Sequence, residues 1–200
     1  MSERDFSANE PGGFGAECDF FPVFSRAAGK NSGLRPRVFG LGYSAIPADR
    51  AACTAAIPPE RLRTHLCWGN YEGPHHRDVP LAEIIDIAFV ARPAAISFEA
   101  ANPRHAHEWR LFEQVKLPDG KIIIPGVIES KSNFIEHPEL IAQRIARYAD
   151  LVGRDNVIAG SDCGFGTWVG QAAVDPDVVW AKLSAMAEGA RLATKQFWGG

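Results

Sequence analysis

Hydrophobic positions are unevenly patterned along the chain, and the change falls near Ile57. Beyond it, short apolar runs alternate with stretches where apolar residues recur every three or four positions. The runs are expected to be strands: Leu62–Trp68, Ala94–Ala100, Lys121–Ile128 and Val157–Ser161. The first stops at Gly69-Asn70, a loop signal. Between them, Asp78 can cap a helix with Pro80 in its first turn, and Leu81, Ile84, Ile85, Ala88 and Phe89 follow at helical spacing. His105–Val115 reads as a second helix, with Trp109, Phe112 and Val115 on one side. His137-Pro138 opens a third, carrying Leu140, Ile141, Ile145, Tyr148 and Leu151, and Gly153 is a suitable stop. Asp175 or Asp177 can cap a last helix over about Val178–Phe197. Strands roughly 30 residues apart with a helix between them form βαβ units, which imply a parallel sheet. The run Ile122-Ile123-Ile124 fits a strand buried on both faces. Pro125 within that strand suggests an edge position or a bulge.

Before Ile57 the periodicity is poor, so residues 1–56 read as an irregular N-terminal segment and 57–200 as the regular part. Val38–Tyr43 could form a short strand weakened by two glycines, and Ala48–Ala56 a helix. Of the 200 residues 46% are hydrophobic and 22% charged, a globular composition that excludes wholesale disorder. No apolar run reaches the roughly 18 to 20 residues of a membrane-spanning helix. The net charge of −3 gives no reason to expect a nucleic acid or an anionic membrane as partner. The first residues lack the basic and apolar regions of a secretory signal, so a cytoplasmic location is expected. Four cysteines in such a compartment are expected to be free or metal-bound.

The polar residues gather at one end of the expected strands. His65 and Cys67 end the first, Glu99 the second, Glu129 the third, and Asp162 and Cys163 the fourth. In parallel α/β folds those C-terminal strand ends are where function collects. His65 and Cys67 lie two apart, so on a strand both point to one face. With Glu99 and Cys163 they make a set of zinc-ligand types in tetrahedral number, and thiolates favour zinc over magnesium or calcium. Taken alone, the pair reads more readily as a core cysteine beside a polar histidine. His75-His76 is expected in a solvated loop, and His105 and His107 are expected to be exposed at a helix start. Cys18 and Cys53 have no ligand partners at recognisable spacing and read as structural. Trp68, Tyr71 and Trp168 could wall a flat ligand or simply pack. No nucleophile elbow, P-loop or dinucleotide fingerprint is present.

Four segments in order, THLCWGN, AISFEAANPR, IIIPGVIESKS followed by HPELIAQRI, and VIAGSDCGFGT, resemble the C-terminal part of cobalamin-independent methionine synthase and its shorter relatives. The resemblance runs from about Ile57 to the C-terminus and implies part of a (β/α)8 barrel, about four parallel βα units. It implies zinc held by His65, Cys67, Glu99 and Cys163. It further implies activation of a thiol such as homocysteine for attack on the methyl group of a methyltetrahydrofolate, giving methionine. Shorter relatives alkylate other thiols, including epoxide opening by coenzyme M. Where the methionine synthases carry a proton-donating histidine, this chain has Lys131, and Glu129 and Asp162 are further candidates for catalytic work. The expected partners are a small-molecule thiol and a methyl donor. A complete barrel takes about 250 residues, so the chain reads as a truncated member, either active or a silent zinc-binding fragment. Its open barrel edges near Leu62 and Val157 are expected to favour self-association.

Overall fold

The computed structural model describes residues 54–166 and 173–199. Four strands, β1 (Arg63–Leu66), β2 (Ala95–Phe98), β3 (Ile122–Ile128) and β4 (Gly160–Ser161), form one parallel sheet in the order β1-β2-β3-β4. Each crossover moves the chain one strand further in the same direction, which is how successive βα units build a barrel wall. The architecture is therefore α/β, a partial (β/α)8 barrel. The N-terminal segment, including Val38–Tyr43, Cys18 and Cys53, lies outside the described residues, as does Trp168.

The register is level across the first three strands: His65 stands opposite Ser97, and Ser97 opposite Ile124. Pro125 sits inside the sheet, paired with Phe98, and the ladder to β4 shifts register immediately after it, between Gly126 and Ile128. Of the two readings of this proline, the irregular strand holds and the edge does not. The fourth strand is shorter than the expected Val157–Ser161, because Val157 makes only an isolated bridge to Ile123.

The long helices follow their patterns. The helix of Pro138–Val152 starts at His137, whose ring accepts the Glu139 N–H, and Gly153 ends it. That of Pro176–Trp198 is capped by Asp175, whose carboxylate accepts the Asp177 N–H. The first two helical expectations are corrected. Asp78 is not a cap: the segment breaks into a 3-10 turn, Leu81–Glu83, and the short helix α1, Ile85–Val90. The expected helix at His105–Val115 is 3-10 over Glu108–Glu113. Asp78 is instead bonded to His75 and His105. With α1 so short, the two long helices are α2 (Pro138–Val152) and α3 (Pro176–Trp198). Among the described residues no helix is long and apolar enough to cross a membrane.

The core lies in two clusters. Trp68, Leu81, Ile85, Ile96, Phe98, Phe112, Ile123 and Tyr148 pack beside β1 to β3, with Phe98, Phe112 and Tyr148 in mutual ring contact. Val127, Ile128, Ile141, Ile145, Ala185 and Ala193 join β3 to α2 and α3. A fully buried Lys182 on α3 reaches Glu136 at 2.9 Å and ties that helix to the loop after β3.

The α2–α3 contact depends on a missing side chain. A Cβ on Gly189 would lie 2.5 Å from Ile141 Cγ2 and 2.8 Å from the Pro138 carbonyl oxygen. Gly to Ala raises helix propensity by about 1 kcal/mol, while forcing atoms into a packed contact costs about 1–3 kcal/mol. Gly189→Ala is expected to destabilise the protein, read as a lower urea midpoint.

Candidate metal centre

Alternation along β1 puts His65 and Cys67 on one face, Thr64 and Leu66 on the other. His65 is fixed from the next strand, its Nδ1 3.1 Å from Ser97 Oγ. That leaves Nε2 turned to Cys163 Sγ at 3.5 Å. Cys163 follows β4 by two residues, and its sulfur stands 3.5 Å from that of Cys67. Both thiols are free and buried. All three ligand atoms lie within 4.8 Å of one another, the one such group among the described residues.

This spacing can be tested against a metal. Zinc–sulfur bonds of about 2.3 Å and zinc–nitrogen bonds of about 2.0–2.1 Å at tetrahedral angles separate the ligand atoms by about 3.8 Å and about 3.6 Å. The observed separations are close to both, so the three residues fit a tetrahedral ion and could hold one. The electrostatics agree. The hydrogen bond from Cys163 lowers the Cys67 pKa to about 5 against the opposing effect of burial, helped by His65 and the Gly69 N–H. The proton shared with Cys67, burial and the Glu99 charge push the Cys163 thiol up. The surroundings therefore favour charge on Cys67 over Cys163. Gly69, at φ +116°, adopts a backbone conformation strained for other residues and brings its N–H to 3.4 Å from Cys67 Sγ.

Glu99 is buried beside this group but outside it. Its Oε1 accepts the Trp68 N–H at 3.0 Å, and Oε2 accepts from Asn102 Nδ2 at 2.9 Å and Lys131 Nζ at 3.3 Å. Burial opposes the Lys131 charge, but the Glu99 carboxylate outweighs it and holds the ammonium pKa above its usual value. Asp162 is fully buried and acts on backbone: Oδ1 accepts the N–H groups of Ala100 and Ala101, and Oδ2 accepts both nitrogens of Asn102. Gly126 makes room for it, since a Cβ there would overlap Asp162 Oδ1. Glu129 holds the turn after β3 by accepting the N–H groups of Lys131 and Ser132. Asn70 links three strand ends, accepting from Ser130 Oγ and donating to the Gly164 carbonyl.

Two histidines expected in solvent are buried. His105, 2% exposed, sets Nδ1 2.8 Å from Glu108 Oε2 and Nε2 3.1 Å from Asp78 Oδ2. His75 reaches the same Asp78 oxygen at 2.7 Å. The Trp68 ring stacks on His105, centroids 4.1 Å apart, and donates Nε1–H to the Val79 carbonyl. This network fixes the loop that follows Cys67. The spacing of Asp78 and Glu108 to these histidines was the only available signal, and His–Asp pairs at i,i+3 are common on surfaces too.

Fold and site together define a class: barrel-type α/β proteins with a His/Cys/Cys group at the C-terminal strand ends that could hold a metal. The chain is similar to known proteins. It is 27% identical over 173 residues to 2-hydroxypropyl-CoM lyase of Xanthobacter autotrophicus strain Py2, covering 74% of this chain and 44% of that protein. Its fold matches a B12-independent methionine synthase from Shewanella sp. W3-18-1, solved in complex with selenomethionine, with TM-score 0.57 and 20% identity, over 82% of this chain and 48% of that one. No protein-family model matches. Both relatives fall in the family that the four sequence segments resemble, and the chain spans a little under half the length of each.

The His105 network has a pH signature. Burial disfavours the charged ring, but Glu108 and Asp78 at its two nitrogens, with Glu99 further off, hold its pKa above the ordinary value. The cation's contribution is therefore full below about pH 6.5 and is lost as pH rises through the higher folded value. His75, the remaining titratable neighbour, faces it across Asp78. His105→Gln is expected to cost about 2 kcal/mol near pH 6 and progressively less toward about pH 9, by urea unfolding at each pH.

Proposed function

We propose that this chain carries the zinc centre of a thiol alkyltransferase. The observation that supports it best is the convergence of one imidazole and two thiols, drawn from β1 and the end of β4, at tetrahedral spacing. His65, Cys67 and Cys163 would hold the ion, with Glu99 the neighbouring carboxylate and candidate fourth ligand. Bound zinc lowers the pKa of a coordinated substrate thiol and so supplies a thiolate near neutral pH.

The chain's own residues prepare that step. Ser97 holds the His65 ring, the Gly69 N–H and the Cys163 thiol stabilise charge on Cys67, and burial of both cysteines keeps water from the sulfurs. Lys131 is paired with Glu99 and stands as a proton-holding group in place of the family's histidine. Glu129 and Asp162 serve by fixing the loops around it. In the reaction a sulfur–carbon bond forms, the donor's bond to that carbon breaks, and the thiol proton leaves.

Methyl transfer from a methyltetrahydrofolate to homocysteine is the first reading of substrate. Alkylation of a thiol such as coenzyme M by an epoxide is the second, favoured by the likeness to 2-hydroxypropyl-CoM lyase and by Lys131 at the histidine's place. A cytoplasmic site of action, where thiols stay reduced, belongs to the same reading. So does pairing of two copies along the outer edges of β1 and β4, which have no neighbouring strand among the described residues.

Protein purified without chelator is expected to contain one zinc per chain by elemental analysis, and the double variant Cys67→Ser, Cys163→Ser to contain none. Retention of zinc by that variant would refute the site. Assays with homocysteine plus methyltetrahydrofolate, and with coenzyme M plus an epoxide, then separate the two substrate readings. Zinc binding without turnover of either would reduce the chain to a metal-binding fragment.

A further inference from the structure

We propose that Arg77 and Arg104, gathered at His76 on the rim of the sheet, form a seat for an oxyanion of the substrate, a carboxylate or a sulfonate. The inference rests on the thiol-alkyltransfer reading above and names the substrate class it accepts, an anionic thiol or an anionic donor.

The two arginines come from different loops. Arg77 follows β1 and Arg104 follows β2, so both lie beyond the C-terminal strand ends, on the face that carries His65, Cys67 and Cys163. Arg77 Nε donates to His76 Nε2 at 3.3 Å, and Arg104 Nη2 donates to the His76 carbonyl at 3.4 Å. Both side chains are exposed, and neither has a carboxylate at ion-pair distance among the described residues. The acids closest by in the two loops are engaged elsewhere, Asp78 by His75 and His105, Glu108 by His105 and the Leu81 N–H. Two cations gathered at one residue repel each other, and an anion between them relieves that cost. A guanidinium presents its N–H donors in a planar fork that matches the oxygens of a carboxylate or sulfonate. The candidate substrates carry such groups: homocysteine and the tail of a methyltetrahydrofolate a carboxylate, coenzyme M a sulfonate.

The seat is supported on both sides. His75 takes a left-handed backbone conformation, φ +48°, which a non-glycine residue keeps only where its surroundings hold it there. Its ring nitrogens face Asp78 Oδ2 at 2.7 Å and the Tyr71 carbonyl at 3.0 Å, and the ring lies against Tyr71 with centroids 4.5 Å apart. The Asp78 N–H closes the turn on the His75 carbonyl at 3.2 Å. This held turn sets the next residue, His76, against Arg104. On the other loop, Asn102 Oδ1 accepts the Arg104 N–H at 3.0 Å, and Asn102 is itself bound to Asp162, the residue before Cys163. Asn70, on the loop of Arg77, donates to the carbonyl of Gly164, the residue after Cys163. Both loops are thus tied to the strand end that carries Cys163.

The test has two arms. In the first, cobalt(II)-loaded protein is titrated with coenzyme M, an anionic thiol, and with 2-mercaptoethanol, its neutral counterpart, and the visible spectrum reports sulfur arriving at the metal. In the second, calorimetry compares the monoglutamate and triglutamate forms of methyltetrahydrofolate. The wild-type protein is expected to prefer the more anionic member of at least one pair by about tenfold or more. In that pair Arg104→Gln is expected to cut the preference by about fivefold, and Arg77→Gln with Arg104→Gln to abolish it. Arg104→Lys, which keeps the charge and loses the fork, is expected to fall between. Arg191→Gln, which removes an exposed cation on α3, is the control and is expected to keep the preference. Added salt is expected to shrink it, because exposed charges are screened. The arm that responds identifies whether the thiol or the donor brings the oxyanion.

The seat is overturned if the wild-type protein shows no preference in either pair, or if its preference survives in the double variant. Both arginines are exposed, so the variants are expected to fold, with the urea midpoint as the check. Should a Gln variant fail to fold, Arg104→Lys and the salt series decide, and a preference that neither of them moves overturns the seat. Preference by calorimetry without cobalt uptake supports the seat and overturns the zinc reading. Cobalt uptake with equal affinity within both pairs overturns the seat and leaves the zinc reading standing.

Discussion

The arrangement of the site depends on a carboxylate that never meets solvent. Asp162 places both oxygens on the backbone of Ala100, Ala101 and Asn102, and so ties the end of β2 to the end of β4. Burial pushes its pKa up, the three N–H groups oppose that shift, and the nearby Glu99 charge adds to it. Its neighbours in sequence and space are the groups that matter chemically. Cys163 follows it directly, Glu99 precedes the residues it binds, and Asn102, held by Oδ2, donates in turn to Glu99. Gly126 on the intervening strand has no side chain because the carboxylate occupies that volume. Two strands that are not hydrogen-bonded neighbours are thereby held at one height, and their chemical groups with them.

Around that clamp the charges are arranged in self-contained sets. In the thiol pair a sulfur donor, an imidazole and a backbone N–H favour charge on Cys67. Glu99 is matched by Lys131, and Glu136 by Lys182. Glu99 and Lys182 are fully buried, where an unmatched charge costs several kcal/mol. The two thiols and the His65 Nε2 stand at a spacing that admits a cation.

The loop after β1 has its own support. Trp68 follows Cys67 and is held from three directions: its N–H by Glu99, its indole N–H by Val79, its face by His105. Asp78 takes part in this network instead of capping a helix, and Glu108 bonds both His105 and the Leu81 N–H. Tertiary hydrogen bonds in a buried setting outcompete local capping, each charged bond contributing about 1.5–3 kcal/mol against about 1 kcal/mol for a cap.

Much of this protein was determined by local order in its sequence. Period-two and period-3.6 patterns located four strands and both long helices, since those periods arise from backbone geometry alone. His65 and Cys67 share a face for the same reason, and the caps at His137 and Asp175 are local bonds between residues two apart. Tertiary structure decided what depends on groups far apart in the chain. It brought Cys163 to Cys67 across 96 residues, buried His75 and His105 against carboxylates, and placed Pro125 inside the sheet at a register shift. It also set Glu99 against Lys131, 32 residues away. A sequence states which groups can ionise or ligate; which of them a given charge faces is fixed only when strand order and register set the distances through which Coulomb's law acts.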